Sequence, residues 1–240
     1  EYAESHEDLH WTEKEINLSD DVTQWKDGTL SDVEKNHITQ ILRLFTQSDV
    51  VVAGNYCNYY IPKFLNNEVR MMLMSFAARE GIHARAYALL NDTLGLHEAE
   101  YSTFLEYDEL ASKVEFMRDI DVHSLHGVAK SLALTVFNEG VSLFSAFVML
   151  LNYQRMGKMK GMNTVIEWSI RDETLHTEGM SRLFREFCNE HGRIVNDDFK
   201  REIYEMARQV VELEDKVIDL AYSAGGVEGL DKGEVKTYIR

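Results

Sequence analysis

Proline and cysteine are nearly absent from this 240-residue chain, which has one of the first and two of the second. With Pro62 alone, little in the sequence can interrupt a helix. Cys57 and Cys188 have no partner at metal-ligand spacing, so they build no thiolate site. Lone thiols in helical patterns are expected as small buried hydrophobes in a reducing compartment. Positive charge is also short: 25 Lys and Arg face 41 Asp and Glu, a formal net charge of −16. No basic cluster breaks that acidity, which argues against nucleic acid and anionic membranes as partners. Long apolar runs are missing too. The stretches from Val50 to Gly54 and from Ala146 to Leu151 are too short to cross a bilayer, and residues 1–20 are acidic and polar, unlike a signal peptide. The expectation is a cytoplasmic protein, with mobile ends lying outside this sequence.

What the chain does have is helical periodicity, with no alternating strand pattern and no repeat. Residues 1–30 read as mostly irregular, with a capping box at Thr12-Glu13-Lys14-Glu15 that makes Trp11 and Ile16 a hydrophobic staple. A second capping box, Ser31-Asp32-Val33-Glu34, opens a long helix carrying Ile38, Ile41, Leu42, Phe45, Asp49, Val52 and Tyr56 on one face and ending at Pro62. A helix over 67–94 aligns Met71, Met74, Ala77, Glu80, Ala84, Tyr87 and Leu90, and Gly95 closes it. Shorter helical pieces are predicted within 98–119, and long helices over 123–155, 160–190 and 198–223. The whole, residues 1–240, is expected to be one all-α domain.

Charge breaks four of the apolar stripes. Asp49 lies between Phe45 and Val52, and Glu80 between Ala77 and Ala84. Glu139 lies between Val136 and Leu143, and Glu173 with His176 continues the line from Ile166 and Ile170 to Met180. Glu80-x-x-His83 and Glu173-x-x-His176 each place a carboxylate and an imidazole on one helix face. Buried unpaired carboxylates are costly and repel one another. Two divalent ions would neutralise four of them, and two imidazoles complete a nitrogen and oxygen donor set suited to iron or manganese. One acid from each of two helices plus Glu-x-x-His from two others is the ferritin-like dimetal plan. Glu34-x-x-His37 matches the same spacing, but Glu34 is a capping residue. His37 is also about 18 Å from Asp49 along the axis, so it is expected at the solvent face. His6, His10, His97 and His191 sit in loop-like contexts, and His123 and His126 open a helix on its polar face.

The segments Ser48-Asp49, Glu80-Gly81-Ile82-His83-Ala84-Arg85-Ala86-Tyr87, Glu139 and Arg171-Asp172-Glu173-Thr174-Leu175-His176 resemble the small, radical-generating subunit of class I ribonucleotide reductase. The similarity runs from about Trp11 to the last long helix. The resemblance implies that Asp49, Glu80 and His83 hold one metal and Glu139, Glu173 and His176 the other, with Glu80 and Glu173 as bridges. It implies a di-iron centre, with manganese/iron or dimanganese as variants, that reacts with dioxygen. Tyr87 would then be oxidised to a radical, and Asp172 and Trp11 would form the electron path through the second ring nitrogen of His83. The implied partners are a large catalytic subunit that reduces ribonucleotides to deoxyribonucleotides and a second copy of the chain. Around Tyr87, Phe147 fits the family's apolar pocket, whereas Leu143 and Ser169 depart from it. Tyr56 shares the face of Asp49 but lacks the match to the family. Cys57 is expected in the core, with Tyr59 and Tyr60 turned away into packing. Tyr238, in a helical context, does not match the redox tyrosine of the family's C-terminal tail. The competing readings are a dimetal oxidase or monooxygenase acting on a substrate in place, and a metal-storage bundle. The first leaves Tyr87 and Asp172 without a role, and the second leaves the match at Trp11 and Asp172 to chance.

Overall fold

Capping side chains place the long helices close to where the sequence pattern puts them. In the computed structural model, which describes residues 1–96 and 107–240 but not the side chains of 46 and 47, α1 spans Tyr2–Asp8, α2 Ser19–Lys26 and α3 Asp32–Asn55. The Ser31 hydroxyl accepts from the Glu34 amide, and the Glu34 carboxylate accepts from the Ser31 amide, so the capping box at the head of α3 is closed. α4, Asn67–Leu94, starts at Asn66, whose side chain accepts from the Val69 amide, and stops at Gly95 in the left-handed region (φ 73°).

The remaining helices are α5 (Asp108–Met117), α6 (Leu125–Phe137), α7 (Leu143–Arg155), α8 (Lys160–Glu190), α9 (Asp197–Ala221) and α10 (Lys232–Tyr238). α8 has no cap of its own. Asp21, fully buried on α2, supplies one from a distance, accepting from the Gly161 and Met162 amides at 2.9 Å each.

Two expected helices are interrupted by single wide π turns. α3 continues through Tyr56–Tyr60 into a last turn, Ile61–Lys63, so the segment ends one residue past Pro62. The helix expected over 123–155 is α6 and α7 joined by the π turn Asn138–Ser142. Each turn inserts a residue into the ladder and so re-aims the side chains around it. One turn carries Tyr56 and the other Glu139.

α3 packs along α4, α8 packs along α4, α6 and α7, and α9 closes over α3, α6 and the second π turn. There is no strand among the described residues, only an isolated bridge between Val227 and Leu230. The bundle is the all-α, ferritin-like arrangement. Two large apolar clusters, with a small third one around Leu134 and Met206, form its core. One contains Phe45, Tyr87, Leu143, Phe147 and Ile166, the other Val52, Tyr56, Tyr60, Leu73, Phe76, Leu132 and Met180. Leu125–Arg155 is long and apolar enough to cross a membrane by length and composition, but 61% of its most apolar window is buried in the bundle, and Glu139 lies at its middle.

Several sequence expectations are corrected. Residues 1–30 hold two helices and a 3-10 turn rather than irregular chain. Met71 and Met74, in the first turns of α4, are 55% and 48% exposed, lying at the surface beside α1. Cys57 is exposed, since the π turn rotates it off the face that buries Tyr56 and Tyr60; Tyr59 is also at the surface. His37 is fully buried, with Nδ1 3.0 Å from the Tyr153 hydroxyl and its ring edge-on to Tyr222. It is a core histidine, not a solvent one. Of the region predicted helical over 98–119, α5 accounts for part. Residues 97–106, including His97, lie outside the described residues.

Asp21→Ala removes the borrowed cap of α8. We expect a loss of about 1–2 kcal/mol in unfolding free energy, smaller in Asp21→Asn, which keeps an acceptor. Denaturant unfolding of the two variants beside the parent checks this.

Candidate metal centre

Four helical segments deliver six side chains to one buried point. Asp49 comes from α3, Glu80 and His83 from α4, Glu139 from the second π turn, and Glu173 and His176 from α8. None is more than 2% exposed. The i,i+3 spacing brings each imidazole onto its own carboxylate: His83 Nδ1 lies 3.5 Å from Glu80 Oε2, and His176 Nδ1 lies 3.2 Å from Glu173 Oε2. The helices then interleave. His176 Nδ1 is 2.9 Å from Glu80 Oε1, and His83 Nδ1 is 3.1 Å from Glu173 Oε1. Donor atoms of Asp49, Glu80 and His83 fall within 4.8 Å of one another, as do those of Glu80, Glu139, Glu173 and His176. Glu80 belongs to both groups.

Apart from these mutual imidazole–carboxylate contacts, each of the six residues keeps one buried polar atom without a hydrogen-bond partner: Asp49 Oδ2, Glu80 Oε1, His83 Nδ1, Glu139 Oε2, Glu173 Oε2 and His176 Nδ1. Buried polar atoms are normally satisfied, and six orphans aimed at one another make a donor set that lacks its acceptor. Four carboxylate oxygens and two imidazole nitrogens suit a pair of divalent cations such as iron or manganese, and the residues fit a dimetal centre.

Without cations the cluster is electrostatically frustrated. Burial, reinforced by the Glu80 carboxylate, holds the Asp49 carboxyl well above its ordinary range. Burial and the Glu173 and Glu80 carboxylates do the same to Glu139, against the pull of His176. For His176, burial favours the neutral ring, but Glu173 and Glu80 override it and raise the pKa to about 10. In Glu173, burial is likewise outweighed by His176 and His83, and its pKa falls to about 2.

Behind His83 lies a second group of buried residues. The Asp172 Oδ2 atom is 3.1 Å from His83 Nε2 and accepts from Trp11 Nε1 at 2.7 Å. Arg79 Nη1 donates to both Asp172 oxygens at 2.9 Å. Burial would raise Asp172, but its bonds from His83 and Trp11 and the Arg79 charge bring it down to about 2, so it stays an anion. Trp11, expected as a staple residue and, from the resemblance, on the electron path, also stacks on His83 at 5.9 Å between ring centroids.

His6 was missed by sequence reasoning. It lies on α1, 1% exposed, with Nε2 3.3 Å from His176 Nε2 and Nδ1 2.9 Å from the Ser75 hydroxyl. Burial beside His176 and Arg79 lowers its pKa to about 3, so it is neutral. Its only local sequence signal is that Ala3 and His6 share a helix face. Arg79, unmarked in the sequence, ties this segment down by donating to the His6 and Leu9 carbonyls.

The tyrosines divide by partner. Tyr87 is buried, donates to Ser169 Oγ at 2.9 Å, and stacks on Phe45 at 4.6 Å, with Phe147 behind. Burial and the nearby Asp49 carboxylate push its phenol well above its ordinary range. Tyr56, also fully buried, donates to Glu139 Oε1 at 2.7 Å. Tyr60 bonds to the Ser131 carbonyl and the Thr135 hydroxyl.

Comparison with known proteins adds sequence and fold relatives. The family model "Ribonucleotide reductase, small chain" matches residues 1–240. A probable ribonucleoside-diphosphate reductase small subunit of Invertebrate iridescent virus 3 is 42% identical over 99% of this chain and 68% of its own. The chain therefore spans about two thirds of that relative's length. Among solved structures, a putative class I ribonucleotide reductase of Bacillus halodurans superposes with a TM-score of 0.91 at 21% identity, covering 99% of this chain and 86% of that one. The dimanganese(II) NrdF of Streptococcus sanguinis does so with 0.85 at 21%, covering 99% and 82%.

The shifts give a pH dependence for the metal-free protein. Asp49 and Glu139 have folded pKa values above their unfolded ones, so their contribution is present at low pH and fades as pH rises past about 4. The raised His176 acts in the same sense, its contribution fading from about pH 6.5 towards about 10. Asp172 and Glu173 act oppositely below about pH 4, and the buried His6 and His37, lowered to about 3 and about 4, act oppositely up to about pH 6.5. The metal-free protein should thus lose thermal stability as pH rises from about 6.5 towards about 10, where the raised His176 is no longer opposed, and adding ferrous or manganous ion should remove that slope. Differential scanning calorimetry across the range checks it.

Proposed function

The chain belongs to the ribonucleotide reductase small-chain family, and we propose that it produces and holds a one-electron oxidising equivalent on Tyr87 for a large catalytic subunit. That subunit would use the equivalent to start reduction of ribonucleotides to deoxyribonucleotides. The single observation that carries this reading is the set of six buried, unpartnered donors beside an enclosed tyrosine. Asp49, Glu80 and His83 would hold one ion, and Glu139, Glu173 and His176 the other. Glu80 is shared between the two groups, and the two oxygens of Glu173 lie against different histidines, which suits both as bridges. A pair of reduced iron or manganese ions bound there would supply the electrons that activate dioxygen.

The protein's own residues do the rest. Asp172 accepts the Nε2 proton of His83, which leaves Nδ1 as the ligand atom and fixes the ring. Because Trp11 bonds the same Asp172 oxygen, an unbroken line from the indole through the carboxylate to the imidazole offers an electron route into the centre. Arg79 balances the buried Asp172 charge and keeps it ionised. Phe45, Leu143 and Phe147 wall Tyr87 from water, and Ser169 receives its phenol hydrogen bond. An oxidase or monooxygenase acting on a substrate in place would leave the Trp11 and Asp172 line without a use. The same reading makes the protein a homodimer of the cytoplasm, with neither nucleic acid nor membrane as partner.

Loading the metal-free protein with ferrous iron and admitting oxygen should give a long-lived tyrosyl signal by electron paramagnetic resonance, lost in Tyr87→Phe. Two bound metals with no radical under iron, manganese or mixed loading would remove the radical role and leave the fold standing. Metal analysis should find about two ions per chain in the parent, as the dimetal plan requires, and fewer than one in Glu173→Ala.

A further inference from the structure

The buried phenols differ in what could take their proton. Oxidising a phenol to a neutral radical removes an electron and a proton, and a base at hydrogen-bond distance lets both leave in one readily reversible step. Tyr87 bonds a hydroxyl, and Tyr60 a carbonyl and a hydroxyl; neither partner is a base. Tyr56 bonds a carboxylate directly, its hydroxyl 2.7 Å from Glu139 Oε1, while Glu139 Oε2 has no hydrogen-bond partner and is left for an ion. The Tyr56 ring also lies close to the centre, 6.4 Å from the His176 ring between centroids, and 6.1 Å from Phe76. Both partners stand on π turns, Tyr56 on Tyr56–Tyr60 and Glu139 on Asn138–Ser142. The helix irregularities of this bundle therefore meet at this hydrogen bond.

We propose that Tyr56 is a second redox-active tyrosine of this chain, oxidised transiently through its hydrogen bond to Glu139. This rests on the dimetal reading above. In the step, the Tyr56 O–H bond breaks, its proton forms an O–H bond with Glu139 Oε1, and its electron reduces the centre that dioxygen has oxidised. The proton stays next to the phenoxyl oxygen, so the step reverses readily and the radical is short-lived. The hole on Tyr87, which has no base beside it to exchange a proton with, persists. Tyr56 thus gives the centre a one-electron reductant inside the protein, separate from the route through Trp11 and Asp172.

Rapid freeze-quench electron paramagnetic resonance tests this on the full chain loaded with ferrous iron and mixed with oxygenated buffer. In Tyr87→Phe the long-lived signal should be gone while a tyrosyl signal rises and decays at early times. In Tyr56→Phe/Tyr87→Phe that transient should be lost, with metal content unchanged because phenylalanine preserves the ring packing. Ring-fluorinated tyrosine placed at position 56 of Tyr87→Phe should add fluorine splitting to the transient. The same early-time trace with and without the Tyr56 hydroxyl, or no fluorine splitting, overturns the proposal. If the parent keeps its Tyr87 signal, that failure touches Tyr56 alone. No tyrosyl signal in the parent or in any variant overturns both readings.

Discussion

Four carboxylates held in the dry centre of a helical bundle set the terms for the rest of this structure. Each would cost several kcal/mol if buried without a partner, and together they repel. The fold keeps them there by arranging their free atoms, with two imidazole nitrogens, around one point where cations can sit. The helices that carry them are long and capped, one of them by Asp21 from elsewhere in the chain, which holds the ligands on rigid elements rather than loops. The exception is Glu139, which stands on a π turn. That local change of pitch turns it inward between two ordinary helical segments.

A second layer sets the surroundings of the candidate ligands. His83 and His176 occupy equivalent places but have different neighbours behind them: the anionic Asp172 for one, the neutral His6 for the other. A charged acceptor makes an imidazole a stronger donor than a neutral one does, so the two halves of the centre are not electronically alike. The N-terminal segment contributes Trp11 and His6 to this layer, and Arg79 and Arg171 hold it in place through the Leu9 carbonyl. A stretch that looks irregular in sequence is therefore part of the wall of the site.

The phenols around the centre are sorted by the same logic. Tyr87 is walled by aromatic rings and bonded to a hydroxyl, which favours keeping a hole once it is there. Tyr56 is bonded to the Glu139 carboxylate, a candidate metal ligand, which favours passing one. Ser169, the departure from the family's apolar pocket, is the residue that occupies the Tyr87 hydroxyl.

The helical class, the bounds of α4 and α8 and the six buried donors could be read from the sequence by itself. Periodicity reports which face is buried, and an acid on an apolar face is costly enough to stand out from chance. The Glu34 and His37 pair shows the limit of such reading: spacing identified the capping role of Glu34, yet His37 is buried against Tyr153 by helices remote in sequence. Cys57 and Tyr59 were misplaced for a related reason, because a π turn shifts the face of a helix without a local sequence signal. Only the tertiary structure brought His6 to His176, Trp11 to Asp172 and Tyr56 to Glu139. Each of those contacts joins segments far apart in the chain, and their distances depend on how whole helices pack, not on the residues beside them.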